Sequence, residues 1–125
     1  MEIRKFKISF KDKRGKIADI IVKDRIEYVT WIFTKKGAVR ANHYHKKTFQ
    51  YNYLLSGKMK LISKMPGEKA KSIILKPGSL VINTPNEHHG LKALEDSELM
   101  VFTRGLRGGR DYELDTYRLK DKLIK

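Results

Sequence analysis

The sequence contains no cysteine. This absence excludes disulfides, thiolate metal sites and a cysteine nucleophile, and leaves histidine, carboxylate and amide groups for any metal chemistry. Long apolar runs are also absent. The first residues, MEIRKFKI, lack the apolar stretch of a signal peptide, and no segment approaches the length needed to span a bilayer. We therefore expect a soluble cytoplasmic protein with no membrane partner.

The length of the chain limits its organisation. A chain of 125 residues with 40% hydrophobic residues has room for one core of ordinary size. No repeat, low-complexity tract or linker divides the sequence. We therefore predict a single domain over residues 1–125.

The formal net charge is +14, a balance that is common in proteins that bind nucleic acids. The lysines, however, are scattered along the whole chain, mostly at alternating positions that are typical of the solvent-facing sides of strands. The sequence has neither a helix-turn-helix pattern nor an aromatic ribonucleoprotein motif. We expect no nucleic-acid partner, and the positive charge favours an anionic small molecule such as a nucleotide diphosphate.

Short apolar runs separated by turn signals predict an all-β sandwich or barrel. Helical periodicity is weak, and the pattern of residues 116–125 leaves open a short helix or a further strand. The predicted strands cover residues 5–10, 16–22, 28–34, 38–44, 48–56, 58–64, 71–75, 80–83, 88–93 and 98–103.

The histidines are grouped in two pairs. His43 and His45 are two residues apart on a predicted strand, so their imidazoles point to the same face, and a later strand carrying His88 and His89 can place a further imidazole opposite them. Neutral imidazole is the commonest metal-binding side chain, so the pattern predicts a metal site inside a small barrel. Gln50 joins this site only if its side of the next strand faces the interior.

Two linked motifs resemble those of the cupin superfamily. The first cupin motif is a Gly, five residues, His, one residue, His, four residues, Glu, six residues and Gly, and residues 37–57 (GAVRANHYHKKTFQYNYLLSG) keep every interval. The second motif, a Pro-Gly turn, a strand and then a Pro shortly before a His, resembles residues 76–90 (KPGSLVINTPNEHHG). The resemblance is close over residues 37–93 and looser in the flanks.

The resemblance implies a double-stranded β-helix, the RmlC-like jelly-roll barrel, with a divalent ion such as zinc, manganese, iron or nickel on His43, His45 and a histidine of the second motif. The spacing from the proline and the following glycine favour His89 over His88 as this third ligand. Gln50 stands where most metal cupins carry Glu. Either its amide oxygen is a fourth ligand, or it hydrogen-bonds the substrate or a metal-bound water; without the anionic ligand the ion favours Lewis-acid over redox chemistry.

Further segments resemble the sugar-nucleotide cupins. These are residues 10–17 (FKDKRGKI), residues 37–45 and residues 108–119 (GGRDYELDTYRL). Related groups are the dTDP-4-dehydrorhamnose 3,5-epimerases and the cupin domain of capsular-polysaccharide sugar-modifying enzymes. The resemblance implies a sugar-nucleotide epimerase or isomerase of polysaccharide metabolism, although the His-Asp dyad and Tyr of the dTDP-sugar epimerases have no residue-by-residue match here.

Such an activity moves a proton beside a keto group, which requires a base and a group that stabilises an enolate. We therefore predict His88, if it is not a ligand, as the base. Tyr44, Tyr51 and Tyr53 are candidates for the acid, and we take Tyr53 as the predicted one. Tyr44 and Arg40 are predicted to bind the substrate, because a guanidinium binds phosphate in a bidentate fork.

Two other functions remain open from the sequence. One is a metal-dependent dioxygenase on the same histidines, and the other is a non-enzymatic protein that binds a small molecule. In each case we expect a homodimer, because pairing through the outer sheets covers strand edges.

Overall fold

The computed structural model describes residues 1–107 and 109–125, which form twelve strands and one short helix. Their bounds are β1 Glu2–Arg4, β2 Ile8–Asp12, β3 Gly15–Ala18, β4 Tyr28–Thr34, β5 Val39–Tyr44, β6 Phe49–Ser56, β7 Met59–Lys64, β8 Lys71–Leu75, β9 Leu80–Asn83, β10 His88–Ala93, β11 Ser97–Arg104, α1 Gly109–Leu114 and β12 Tyr117–Arg118.

The strands form two five-stranded antiparallel sheets. The first has the order β1-β9-β6-β11-β4 and the second has the order β12-β5-β10-β7-β8, while β2 and β3 form a separate hairpin. Apart from β7 and β8, neighbouring strands in both sheets are distant in sequence, which is the arrangement of a jelly roll. The predicted all-β class is confirmed.

The space between the two sheets holds the core. In β11 buried and half-buried residues alternate over all eight positions, as expected for a strand with one face on the interior. The inward side chains of both sheets meet in one apolar cluster, formed by Leu54, Met59, Leu61, Leu75, Val81, Leu91, Ala93, Leu99 and Val101.

The C-terminal part contains the further strand, one of the two alternatives that the sequence leaves open for residues 116–125. Residues 116–125 contain the two-residue strand β12, and the helix lies before it, at Gly109–Leu114. The strand forms because Tyr117 pairs with Tyr44 of β5, a contact between distant parts of the chain that a local pattern does not encode. In the described part of the chain, no helix has the length and apolar character needed to cross a membrane.

The C-terminal tail also fixes β5 just before the first histidine. Ala41 and Asn42 have positive φ angles of 66° and 56°, and the pairing of β5 with β10 shifts register there. The Asn42 amide donates a hydrogen bond of 3.0 Å to the carbonyl of Ile124. A Cβ on Gly90 would lie 2.7 Å from Ile124 Cγ2 and 2.8 Å from the Asn42 side-chain oxygen, so a larger residue would displace the contact between this strand and the tail. This bulge anchors the strand segment that carries His43.

Candidate functional site

One end of the barrel interior is polar and the other is apolar. Along β6 the inward side chains change from Gln50 and Asn52 to Leu54, all buried. The same change occurs along the strands that pair with or face β6, in the order Thr103, Val101, Leu99 on β11, Asn83, Val81 on β9, His89, Leu91, Ala93 on β10, and Ser63, Leu61, Met59 on β7. Apolar side chains usually fill the interior of a small barrel. The concentration of buried polar groups at one end therefore marks that end as the candidate site.

Three histidines meet at the polar end. His43 and His45 project inward from β5 and the segment that follows it, and His89 projects from β10, where it is the register partner of His43. The ring centroid of His43 lies 4.7 Å from that of His45 and 4.8 Å from that of His89. One ligand atom from each of the three lies within 4.8 Å of the others. This cluster is the three-histidine group that the sequence predicts for a metal site.

Backbone contacts determine the tautomers of two of these imidazoles. His45 Nδ1 lies 2.7 Å from the carbonyl oxygen of Asp115, and His89 Nδ1 lies 2.9 Å from that of Glu87. A carbonyl only accepts, so each Nδ1 carries the proton and each Nε2 has a free lone pair. Both Nε2 atoms are buried and make no hydrogen bond to the residues described. Two buried lone pairs without a partner are suited to accept a proton or a metal ion.

Burial keeps the cluster uncharged. Burial, with the neighbouring His89 and His45 adding to it, lowers the pKa of His43 to about 2. Burial also lowers the pKa of His89 to about 3. The pKa of His45 is lowered by burial, although its hydrogen bond to the Asp115 carbonyl opposes the shift. All three imidazoles are therefore neutral at pH 7.

A single aspartate holds the segment around His45. The Asp115 carboxylate accepts hydrogen bonds from the backbone amides of Lys46, Lys47 and Thr48 at 2.9 to 3.0 Å, and from the Thr48 hydroxyl at 2.7 Å. Burial would raise the pKa of this carboxyl, but the hydrogen bonds together hold the pKa below its ordinary value. Asp115 thus binds the His45 ring through its carbonyl and the next three residues through its carboxylate.

Replacing Asp115 with alanine should lower the free energy of unfolding by about 2 to 4 kcal/mol, because buried amide donors lose their acceptor. Asp115→Asn should cost less, since its amide keeps one acceptor oxygen. Urea unfolding followed by circular dichroism measures both changes. Asp121→Ala, at an exposed position of the same tail, serves as the matched control. Equal stability of D115A and D121A would contradict the role of this carboxylate.

A cavity of about 220 Å³ lies beside the histidines. Its wall includes His43, His89 and Gln50, together with the side chains of Arg40 and Arg107. Arg40 donates hydrogen bonds to the Thr34 hydroxyl at 2.7 Å and to the Phe33 carbonyl at 2.9 Å, and Arg107 donates one to the Thr30 hydroxyl at 3.1 Å.

Both guanidinium groups of the cavity are held by strand β4, and neither pairs with a carboxylate within residues 1–107 and 109–125. A guanidinium stays charged at any physiological pH. Two uncompensated positive charges at one cavity favour an anionic ligand there.

The structure brings together some of the residues predicted from sequence and separates others. His43, His45, His89 and Gln50 share the polar interior, and Arg40 lines its cavity.

The remaining three predicted site residues lie on outer faces of the barrel. His88 stacks on Tyr44 with ring centroids 4.7 Å apart, and Tyr44 in turn stacks on Tyr117. Tyr53 projects from β6 on the face opposite to Gln50, where it approaches Phe6. The structure therefore does not bring His88, Tyr44 or Tyr53 to the histidine cluster.

Tyr112 is a cavity residue that sequence reasoning missed. It projects from α1, its hydroxyl lies 3.4 Å from His43 Nδ1, and the Arg107 guanidinium lies 5.2 Å from the centre of its ring. The sequence of residues 108–119 shows only a resemblance to the sugar-nucleotide cupins and assigns no role to Tyr112. A tyrosine in that run was the available signal, but its approach to His43 depends on the tertiary fold.

No family model and no curated protein matches the chain. Solved structures do match it. QdtA, a sugar 3,4-ketoisomerase from Thermoanaerobacterium thermosaccharolyticum in complex with TDP, is 27% identical with a TM-score of 0.78, over 96% of this chain and 88% of that chain. The chain has the RmlC-like cupin fold. The resemblance to the cupins and the predicted jelly-roll class are thereby confirmed.

Two further structures extend this comparison of RmlC-like cupins. A histidine-to-asparagine mutant of QdtA in complex with TDP-4-keto-6-deoxyglucose is 26% identical with a TM-score of 0.77, over 94% of this chain and 86% of that chain. The dTDP-4-dehydrorhamnose 3,5-epimerase from Sulfolobus tokodaii is 19% identical with a TM-score of 0.74, over 100% of this chain and 88% of that chain. At that lower identity the epimerase shows the fold alone.

Proposed function

We propose that this RmlC-like cupin is an isomerase or epimerase of keto nucleotide sugars. The observation that carries the proposal is the cluster of three neutral, buried histidines beside a cavity with two guanidinium groups that pair with no carboxylate in the described part of the chain. A keto sugar linked to a diphosphate matches both parts, since its acidic C–H bonds need a base and its phosphates need cations. The similarity to a sugar 3,4-ketoisomerase supports the same substrate class.

In this proposal His43 takes the proton from the carbon next to the keto group. The C–H electron pair moves into the new C=C bond, and the keto oxygen becomes an enolate. The Tyr112 hydroxyl, next to His43, supplies or receives the proton that moves between the oxygens. Return of the proton to the neighbouring carbon gives the isomer, and its return to the other face of the same carbon gives the epimer.

Solvent exchange tests the proposed reaction directly. The protein is incubated with TDP-4-keto-6-deoxyglucose in deuterium oxide, and proton NMR and mass spectrometry follow the sugar. We expect deuterium at a carbon next to the keto group and a new keto-sugar isomer or epimer. If neither product forms, with chelator or with added zinc, manganese, iron or nickel, the proposed activity is wrong.

The same histidines also fit a divalent metal ion. Three imidazoles converge, and two of their Nε2 atoms are buried lone pairs without a partner among the residues described. As an alternative to the proton transfer described above, for which His43 needs its free lone pair, we propose that His43, His45 and His89 bind a divalent ion, with Gln50 as the fourth side chain. When bound, such an ion would supply Lewis-acid polarisation of the keto oxygen.

The Gln50→Glu variant tests the metal site. The added carboxylate places a negative charge beside three neutral ligands, so we expect zinc and nickel to bind the variant about tenfold more tightly than they bind the wild type. Isothermal titration calorimetry on chelator-treated protein measures both affinities. His89→Asn should weaken binding at least tenfold, whereas His88→Asn on the outer face should leave it unchanged. Equal affinities in all four proteins would exclude the cluster as the metal site.

We also propose that the protein is a homodimer formed through strand β4. In a chain with 34% charged residues, the seven residues of this edge strand carry no charge at all. Its outer face exposes Val29, Trp31 and Phe33, with 61%, 57% and 41% of their surface accessible. Edge strands of soluble proteins are commonly protected by charged residues, and the other three sheet edges, β1, β8 and β12, each carry at least one. An uncharged, apolar edge is suited to a second copy of the chain.

Light scattering after size-exclusion chromatography measures this association. We expect twice the 14.6 kDa mass of one chain. Trp31→Lys should give the mass of one chain, because it places two charges at the paired edge. Ile74→Lys, an exposed apolar position on the other sheet, is the matched control and should remain dimeric. A monomeric wild type, or a dimeric W31K, would contradict pairing through β4.

A further inference from the structure

A buried chain of polar side chains runs from the N-terminus to the cavity. The Asn52 amide nitrogen lies 3.0 Å from the side-chain oxygen of Asn83, and the Asn83 amide nitrogen lies 2.7 Å from one oxygen of Glu87. The other Glu87 oxygen pairs with the ammonium group of Met1. Asn52, Asn83 and Glu87 are at most 3% exposed. None of these residues belongs to the histidine cluster.

The carboxylate at one end of this chain sets the direction of every hydrogen bond in it. Paired with an ammonium group, Glu87 is an acceptor only, so Asn83 must turn its NH₂ group toward it. The Asn83 oxygen then faces Asn52, which must donate in turn. The backbone carbonyls of Val81 and Gln50 lie 3.2 and 3.4 Å from the same Asn52 nitrogen. A flipped Asn52 amide would place its oxygen against three oxygens, so its orientation is fixed.

The fixed orientation leaves one atom of Asn52 for the cavity. Asn52 lines the cavity, and its side-chain oxygen makes no hydrogen bond to the part of the chain that the structure describes. The guanidinium groups of Arg40 and Arg107 in the same wall are donors only. The cavity therefore combines donors for an anionic group with a held acceptor for a hydroxyl.

We infer that Asn52 is a specificity-determining residue whose side-chain oxygen accepts a hydrogen bond from a hydroxyl of the bound sugar. This inference rests on the proposed function, because it takes the ligand of the cavity to be a nucleotide sugar. Asn83 and Glu87 act through Asn52 as positioning residues. A ligand of the same size that lacks the donor hydroxyl leaves this acceptor buried and unpaired, so the site discriminates against it.

Binding of fluorinated sugars tests the inference. TDP-glucose keeps hydroxyls at C2 and C3 but has no keto group to react, and its 2-deoxy-2-fluoro and 3-deoxy-3-fluoro analogues keep the size but cannot donate. We expect the wild type to bind one of the two analogues about tenfold more weakly than TDP-glucose, measured by calorimetry. Both Asn52→Leu, which keeps a side chain of similar size, and Asn52→Ala, which leaves a space, remove the acceptor oxygen. Each variant should bind TDP-glucose and both analogues equally.

The control variant is Thr103→Val. It removes a buried hydroxyl that has no partner among the described residues and lies on the strand next to Asn52, and it should discriminate as the wild type does. Equal binding of all three ligands by the wild type, or discrimination that persists in both Asn52 variants, would overturn the inference while leaving the proposed function intact. A wild type that binds none of the TDP-sugars would overturn the proposed function and this inference with it.

Discussion

Replacing His43 with asparagine is expected to lower kcat for the proposed keto-sugar reaction by about a thousandfold, the range typical of losing a general base. His43 and His89 both line the cavity, but of the two only His43 approaches the Tyr112 hydroxyl, and its ring centroid lies within 5 Å of both other imidazoles. Asparagine has no titratable nitrogen to accept the carbon-bound proton. The rate of deuterium incorporation into TDP-4-keto-6-deoxyglucose measures the effect.

His88→Asn is the matched control for this experiment, because it makes the same substitution on the outer face of the barrel, where His88 stacks on Tyr44. It should retain the wild-type rate. The opposite result, an inactive H88N and an active H43N, would move the chemistry to the outer face and contradict the interior site. Circular dichroism and thermal melting of both variants establish that the comparison is between folded proteins.

The interior part of the site was predictable because it depends on local rules. Spacing by two residues sets His43 and His45 on one face of a strand, and the resemblance supplies the third position at His89. Gln50 follows by the same alternation on the next strand. Antiparallel pairing of β5 with β10 brings the histidines together, and Gln50 joins them from β6 of the facing sheet.

Alternation also explains which predicted residues lie elsewhere. Consecutive residues of a strand point to opposite faces, so an inward His89 requires an outward His88. Tyr53 is an odd number of residues from Gln50 and is therefore turned away from the interior when Gln50 is turned toward it. Because side chains alternate between the two faces of a strand, this rule separates the predicted residues that point into the barrel from those that point outward.

The C-terminal contributions could not be predicted in this way. Tyr112 and Asp115 reach the cluster because the tail folds back along β5 through β12 and the contacts of Asn42. These contacts join residues about 70 positions apart in sequence, and no local period reports them. Arg107 likewise reaches the cavity only because it binds Thr30 of a distant strand.

Lowering the pH from 6.5 to 5 is expected to reduce the free energy of unfolding of the metal-free protein by about 3 kcal/mol. The ordinary histidine pKa is 6.5, whereas burial lowers the pKa of His43 to about 2 and that of His89 to about 3 in the folded protein. At pH 6.5 the two histidines of the unfolded chain are half protonated and together hold about one proton more than in the folded protein, and at pH 5 they hold about two more. Stability therefore falls as the pH falls, with about 1.4 kcal/mol per pH unit from each histidine once the unfolded form is largely protonated.

The Asp115 carboxylate does not confound this pH window. The ordinary pKa of an aspartate is 3.8 and hydrogen bonds hold that of Asp115 lower still, so this carboxylate stays charged down to pH 5. Urea unfolding at half-unit steps of pH with chelator present gives the slope. His89→Asn should reduce the slope of stability against pH by the contribution of one histidine, about 1.4 kcal/mol per pH unit. His88→Asn, at a half-buried position on the outer face, should reduce the slope less. A wild-type stability that does not change across the window, or an H89N slope equal to that of the wild type, would mean that the cluster accepts protons in the folded state. The lone pairs assigned here to a substrate proton or a metal ion would then already be occupied.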